Sequence, residues 1–202
     1  MANTNNKLVR EKIILASASP RRSKLLKLIG LNLKCIKSNI DEDLLLKNFR
    51  KATPEKLVKV LSLAKAISVL AKLKKEEEVI AAFDTIVFCK NRIMGKPKNK
   101  IDALKKILFL SNKEHRVITG IAILNTGKKT ILLDYEITKV RMKKISKEEA
   151  ISYIKTKEPF DKAGGYAIQG RGSRFVKSIS GDYFNVVGLP LKKFLLNLKS
   201  LL

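Results

Sequence analysis

Tryptophan is absent from this 202-residue chain, and phenylalanine and tyrosine supply the whole of its 6% aromatic content. A core of useful size therefore has to be assembled from Leu, Ile, Val and Ala. Histidine occurs once, as His115, and cysteine twice, as Cys35 and Cys89. One imidazole and two distant thiols without a CxxC spacing exclude a Ser-His-Asp or Cys-His nucleophile and a Cys/His metal cluster. Both thiols lie in apolar or strand-like surroundings and are expected to be buried in a reducing compartment. His115 borders a predicted strand and is expected to be structural or superficial. No apolar run approaches the ~18 residues that span a bilayer. Ile13 to Ala16, which follows a cationic N-terminal stretch, is too short for the apolar part of a signal peptide. A soluble, cytoplasmic protein is expected. Neither a G-x-x-x-x-G-K-[ST] loop nor a G-x-G-x-x-G turn follows the first predicted strand, and no internal repeat or low-complexity linker is seen.

Acidic residues are also scarce, 18 Asp and Glu against 43 Lys and Arg, a formal net charge of +25. Such a field attracts anions. The lysines are spread over every segment with no interleaved aromatic platform, so nucleic-acid binding is expected to be nonspecific at most, and an anionic small substrate fits better. The chain is long enough for one domain with a real core.

Strands and helices alternate. Strands are predicted over Lys12 to Ala16, Leu31 to Lys37, Val79 to Phe88, Arg116 to Leu124 and Ile131 to Met142. Helices are predicted from Pro20 to Ile29, stopped by Gly30, and from Pro54 to about Lys74, with Leu57, Leu61, Ala64, Ser68 and Ala71 on one face and Glu76, Glu77 and Glu78 at its end. Further helices are read over Asp102 to Leu110, from Ser146, with Glu149 completing a capping box, to about Lys155, and over Pro190 to Leu202. Lys90 to Lys100 reads as a turn-rich loop. The fold class is α/β with a twisted mixed sheet.

Several residues carry candidate chemistry. Asp84 interrupts the apolar run AAFDTIVF, and a carboxylate in such surroundings has to be paired, hydrogen-bonded or bound to metal. Arg21, Arg22 and Lys24 crowd a helix start that is already positive, beside Ser17 and Ser19; N–H groups and guanidinium forks at such an end suit a phosphate. Lys96 stands between Gly95 and Pro97 in a loop. Asp41, Glu42 and Asp43 are clustered hard oxygen ligands of the kind Mg²⁺ takes alongside substrate phosphates. The glycine-rich stretch EPFDKAGGYAIQGRG from Glu158 to Gly172 is long enough to be a functional loop. Together these residues favour metal-assisted chemistry on a phosphoanhydride.

The ordered set ILASASPRR, IDEDLLLK, LAKA, FDTIV, GKP, LSNKEHRVITG, EPFDKAGGYAIQG and GDYFNVVGLPL resembles the Maf family of nucleotide pyrophosphatases over nearly the whole chain. The resemblance implies a single domain, 1–202, with a central mixed sheet flanked by helices, two lobes around a deep cleft, and a homodimer. It implies hydrolysis of a nucleoside triphosphate to monophosphate and pyrophosphate with a divalent metal, Mg²⁺ or Mn²⁺. Asp84 would be the proton acceptor, and Glu42 with Asp84 would hold the metal. Arg21, Arg22, Lys65, Lys96 and Lys162 would face the phosphates. Arg21, Thr85 and Gln169 match the branch that acts on dTTP and UTP, with modified uridine triphosphates as further substrates. Another base preference, a basic nucleic-acid-binding role and a cell-division regulator are the competing readings. Phe83, where the family has a small residue before the catalytic Asp, and Met142, where it has Phe, depart from the family pattern; Phe83 would either reshape the cleft or, since neighbouring strand residues point opposite ways, repack the strand's far face.

Overall fold

The computed structural model describes residues 12–73 and 78–202. The cationic N-terminal stretch lies outside them, as do Lys74, Glu76 and Glu77 at the predicted helix end. Strand β1 (Lys12–Leu15) has Ile13, Ile14 and Leu15 fully buried, the pattern of a strand covered on both faces. Helix α1 (Pro20–Leu28) has Pro20 in its first turn and Ile29 as C-cap, followed by Gly30 at φ +83°. Both predicted signals are thus used. β2 (Asn32–Cys35) runs parallel to β1, with Lys12 opposite Asn32. It lies at the end of the strand order. Cys35 is exposed there, which corrects the expectation of a buried thiol, whereas Cys89 is buried.

The acidic cluster is a helix start. Asp41 caps α2 (Glu42–Asn48) by accepting from the Leu44 amide at 2.9 Å. α3 (Pro54–Leu70) is capped by Thr53, and its buried residues are Leu57, Val58, Leu61, Ser62, Lys65, Ala66 and Val69. The inward face is rotated from the predicted one: Ala64 and Ser68 are half-buried and Ala71, past the helix end, is exposed.

β3 (Val79–Cys89) is followed by β4 (Arg92–Met94), antiparallel to it with Val87 opposite Met94. This hairpin replaces the first part of the predicted loop. Next come α4 (Lys100–Leu110), β5 (Glu114–Asn125), β6 (Thr130–Met142) and α5 (Lys147–Lys155), whose Ser146–Glu149 capping box is formed. Three short 3-10 turns cover much of 158–175. They lead into β7 (Val176–Ser180), antiparallel to β6, then α6 (Tyr183–Val187) and α7 (Leu191–Leu201). Among the described residues the strands form a seven-stranded mixed sheet in the order β2-β1-β3-β5-β6-β7, with β4 paired to β3. The α/β class stands.

Two compact units share these elements. The described residues up to Asp84, Thr119–Tyr135 and Gly188–Leu202 form the first; Thr85–Ile118 and Glu136–Val187 form the second. In the first, Ile13, Leu15, Ala81 and Phe83 face Leu26 of α1 and Phe194 and Leu198 of α7. Ile14, Ile80, Ala82 and Ala122 face Ala66 and Val69 of α3 on the other side of the sheet. In the second, Ala103, Ile107 and Leu110 of α4 meet Ala150, Tyr153 and Ile154 of α5 with Val87, Val117 and Met142.

Candidate active site

Alternation along β3 decides where Asp84 emerges. Val79, Ala81 and Phe83 belong to the α1 and α7 side, and Ile80 and Ala82 to the α3 side, so the next residue in register, Asp84, comes out towards α3. There Lys65 Nζ donates to Asp84 Oδ1 and lies 2.8 Å from Glu42 Oε1. The Lys65 and Asp84 side chains are 11% and 8% exposed, and that of Glu42 43%. One ammonium thus compensates two carboxylates from separate elements, which is how a buried carboxylate is tolerated.

Gly120 sets the position of α3. A Cβ on Gly120 would stand 2.2 Å from the Val58 carbonyl oxygen, so the helix backbone rests directly on β5 at a point that admits no side chain. A glycine inside a strand pattern is the sequence sign of such an approach. It stands at the end of LSNKEHRVITG.

The cations of the first helix are held as follows. Ser17 Oγ accepts from the Ser19 amide at 3.1 Å and from Arg22 Nη1 at 3.4 Å. Arg22 Nε donates to the Gly188 carbonyl at 2.7 Å and Nη1 to the Phe83 carbonyl at 2.9 Å. The guanidinium therefore fixes the peptide just before Asp84, besides bringing charge. Burial pulls the Arg22 pKa down to about 10, opposed by the Asp84 carboxylate, and it stays charged at neutral pH. Arg21 is partly buried beside it. Phe83 is fully buried and meets Phe194 edge to face at 5.1 Å. Phe83 packs on the α1 and α7 side of the strand, and its ring also lies beneath the Arg22 guanidinium, 5.7 Å from the centroid.

Ser17, Ser19, Arg21, Arg22, Glu42, Lys65 and Asp84 belong to the first unit, and Thr85, Lys96, Lys162 and Gln169 to the second. Thr85 is half-buried and follows Asp84 on β3. Lys96 is exposed on a loop pinned by Asp102, whose carboxylate accepts from the Lys98 amide at 2.9 Å and Lys106 Nζ at 2.6 Å. These donors, the Lys106 ammonium foremost, hold that carboxyl below its usual range against the cost of desolvation. The Gly164 amide donates to the Gly95 carbonyl at 3.2 Å, which joins the Lys96 loop to the Lys162 loop. Lys162 Nζ is paired with Asp161 and donates to the Glu158 carbonyl at 3.4 Å. Gln169 is exposed. Glu158 and Tyr153, unassigned by the sequence reading, hold the segment that carries it. His115 is buried and shares a 2.7 Å hydrogen bond with Tyr166; it is structural.

For a divalent cation the chemistry of the donor set fits. Glu42 and Asp84 already converge on one positive charge, and Mg²⁺ needs only one or two carboxylates when phosphates and water complete its sphere. Among the described residues no group of three or more His, Cys, Asp or Glu could hold a metal by itself.

The Maf-like protein family model matches residues 12–201. The dTTP/UTP pyrophosphatase of Alkaliphilus oremlandii (strain OhILAs) is 48% identical over 183 residues, covering 91% of this chain and 92% of its own. That of Thermoanaerobacter sp. (strain X514) is 47% identical over 182 residues, 90% and 92% of the two chains. The protein of the same name from Clostridioides difficile (strain 630) is 43% identical over 181 residues, 90% of each. With a match from the first strand to the last helix and relatives of nearly equal length, the chain belongs to the Maf family.

Proposed function

We propose that this protein hydrolyses dTTP and UTP, with modified uridine triphosphates as further substrates, to the monophosphate and pyrophosphate. The whole chain, 1–202, acts as one Maf-like pyrophosphatase domain. The observation that carries the reading is Asp84, a buried carboxylate in the middle of the apolar strand β3, held by Lys65 together with Glu42. The names of the relatives supply the substrates.

Asp84 accepts a proton from the attacking water, whose addition breaks the anhydride between the α and β phosphates and releases pyrophosphate. Glu42 and Asp84 would hold Mg²⁺ or Mn²⁺, which neutralises phosphate charge and acidifies water when bound. Lys65, Arg21, Arg22, Lys96 and Lys162 are assigned to the negative charge of the triphosphate, and Ser17 and Ser19 to its oxygens. Arg21, Thr85 and Gln169 are assigned to base choice; the Gln169 amide has the paired donor and acceptor that a uracil or thymine edge requires. A homodimer in the cytoplasm completes the proposal and rests on the family resemblance. No helix among the described residues is long and apolar enough to cross a membrane.

The test is pyrophosphate release from dTTP, UTP, CTP, GTP and 7-methyl-GTP with Mg²⁺ or Mn²⁺ and with chelator. Metal-dependent release led by dTTP and UTP is expected. If another base leads, the selector assignment is wrong; if folded protein releases none from any of them, the hydrolase assignment fails.

A further inference from the structure

We infer that Glu158 and Tyr153 are positioning residues for base choice, because they close the segment around Gln169 into a fixed bight. This rests on the assignment of Gln169 to the base. The two ends of the bight meet. A Cβ on Gly172 would stand 2.7 Å from the Ala167 carbonyl oxygen, 2.8 Å from its amide nitrogen and 2.6 Å from the Tyr153 hydroxyl. Ile168, Gln169, Gly170 and Arg171 form the tip between these ends.

The knot is polar. Glu158 Oε1 accepts from the Tyr153 hydroxyl at 3.0 Å and the Gly172 amide at 3.1 Å, and Oε2 accepts from the Arg171 amide at 3.1 Å. The Tyr153 hydroxyl in turn accepts from the Ala167 amide at 3.0 Å. One carboxylate and one phenol thereby satisfy three backbone donors flanking Gln169. Tyr153 is itself locked in the core, edge to face with Phe175 at 5.2 Å. Just ahead of the bight, Tyr166 is tied to His115 of β5. Gln169, an exposed side chain with three rotatable bonds, thus stands on a backbone fixed from both sides. Such support holds a recognising group in its productive geometry.

The experiment compares Tyr153→Phe, Glu158→Gln and Gln169→Ala with the unaltered protein, taking kcat and KM for UTP and CTP by pyrophosphate release. Tyr153→Phe keeps the ring and its packing. Glu158→Gln keeps the size and replaces one acceptor oxygen by a donor. Each is expected to raise KM for UTP by about tenfold, the worth of about one hydrogen bond to the base, with kcat within about twofold, and to move the UTP-to-CTP ratio of kcat/KM towards that of Gln169→Ala. Inhibition by inorganic tripolyphosphate, which has no base, is expected to stay at its original value. A merely structural role would not separate these readouts.

If Gln169→Ala shifts the ratio while folded Tyr153→Phe and Glu158→Gln retain the original KM and ratio, the positioning assignment is overturned and the base assignment stands. If Gln169→Ala leaves the ratio unchanged, the base assignment fails and takes this inference with it. Hydrogen exchange of the unaltered protein is a check free of folding defects. The Ala167, Arg171 and Gly172 amides are expected to exchange at least about tenfold more slowly than their unstructured rates, since a hydrogen-bonded amide exchanges only on opening. Unprotected exchange at all three would overturn the knot.

Discussion

Replacing Lys65 with methionine removes the one ammonium that Asp84 and Glu42 share while keeping most of the side-chain volume. Its effect follows from burial. Breaking a buried ion pair by deleting one partner costs about 3–5 kcal/mol, because the remaining charge is left without compensation. The Lys65 and Asp84 side chains, 11% and 8% exposed, fall in that range. Glu42, at 43%, is screened by solvent and adds at most about 1 kcal/mol. A loss of about 3 kcal/mol is expected in chelator. At roughly 2–4 °C per kcal/mol for a chain of this size, the melting temperature should fall by about 6–12 °C. The two carboxylates then lose the ammonium they share and keep the more distant charge of Arg22, which acts on both, so Mn²⁺ or Mg²⁺ should recover part of the loss and stabilise the variant more than the parent. Thermal unfolding followed by circular dichroism, in chelator and across a metal titration, reads both effects. A variant that melts with the parent in chelator, or that gains no more from metal than the parent does, refutes the reasoning that Lys65 compensates this pair.

Asp84→Asn removes the proposed proton acceptor and should lower pyrophosphate release by at least about 10²-fold, the lower range for general acid–base catalysis, while circular dichroism shows a folded protein; near-parental turnover would remove Asp84 from the chemistry. Gly120→Ala puts a methyl group where the Val58 carbonyl stands 2.2 Å away. It should cost about 3 kcal/mol in urea unfolding, at the upper end for overpacking, and depress activity with every candidate side chain still present; an unchanged midpoint would show that α3 does not bear on β5 there. Burial pushes His115 from its ordinary 6.5 down to about 4. Between those values the unfolded chain binds a proton that the folded chain does not, so stability is complete above pH 6.5 and falls on acidification towards pH 4. The loss is on the order of 3 kcal/mol, and His115→Gln should show a shallower fall over that window. Parallel profiles in urea unfolding would refute it.

Much of the fold could be read from local chemistry. Pro20 and Gly30 bound α1, and Ser146 with Glu149 opens α5 by the capping box. What escaped has physical reasons. The β3–β4 turn uses Lys90 and Asn91 at φ +45° and +59°, and with lysine in the first of these left-handed positions the Asn-Gly signal of a tight hairpin is missing. The buried face of α3 departs from the predicted one because a pattern of apolar residues gives no place to a buried lysine. Lys65 points inward since Asp84 and Glu42 require it, and both arrive from segments distant in sequence. Cys35 sits in a plausible strand pattern, but pattern does not tell a central strand from one at the end of the order.

Of the candidate residues, Glu42, Lys65 and Asp84 meet in the structure, and no division of labour among the set is legible in the sequence. Arg21, Arg22 and Lys24 at the positive end of α1 pose an electrostatic problem in the sequence, and a phosphate answers it only in part. Arg22 turns its Nε and Nη1 to the carbonyl oxygens of Gly188 and Phe83. Peptide dipoles from two distant segments therefore relieve some of that charge before any substrate is present. One of them is the peptide that presents Asp84. The guanidinium proposed to face a triphosphate thus also fixes the part of β3 that bears the proposed proton acceptor. A lysine there would keep the charge but lose the forked geometry, so charge attraction and orientation of Asp84 depend on one side chain.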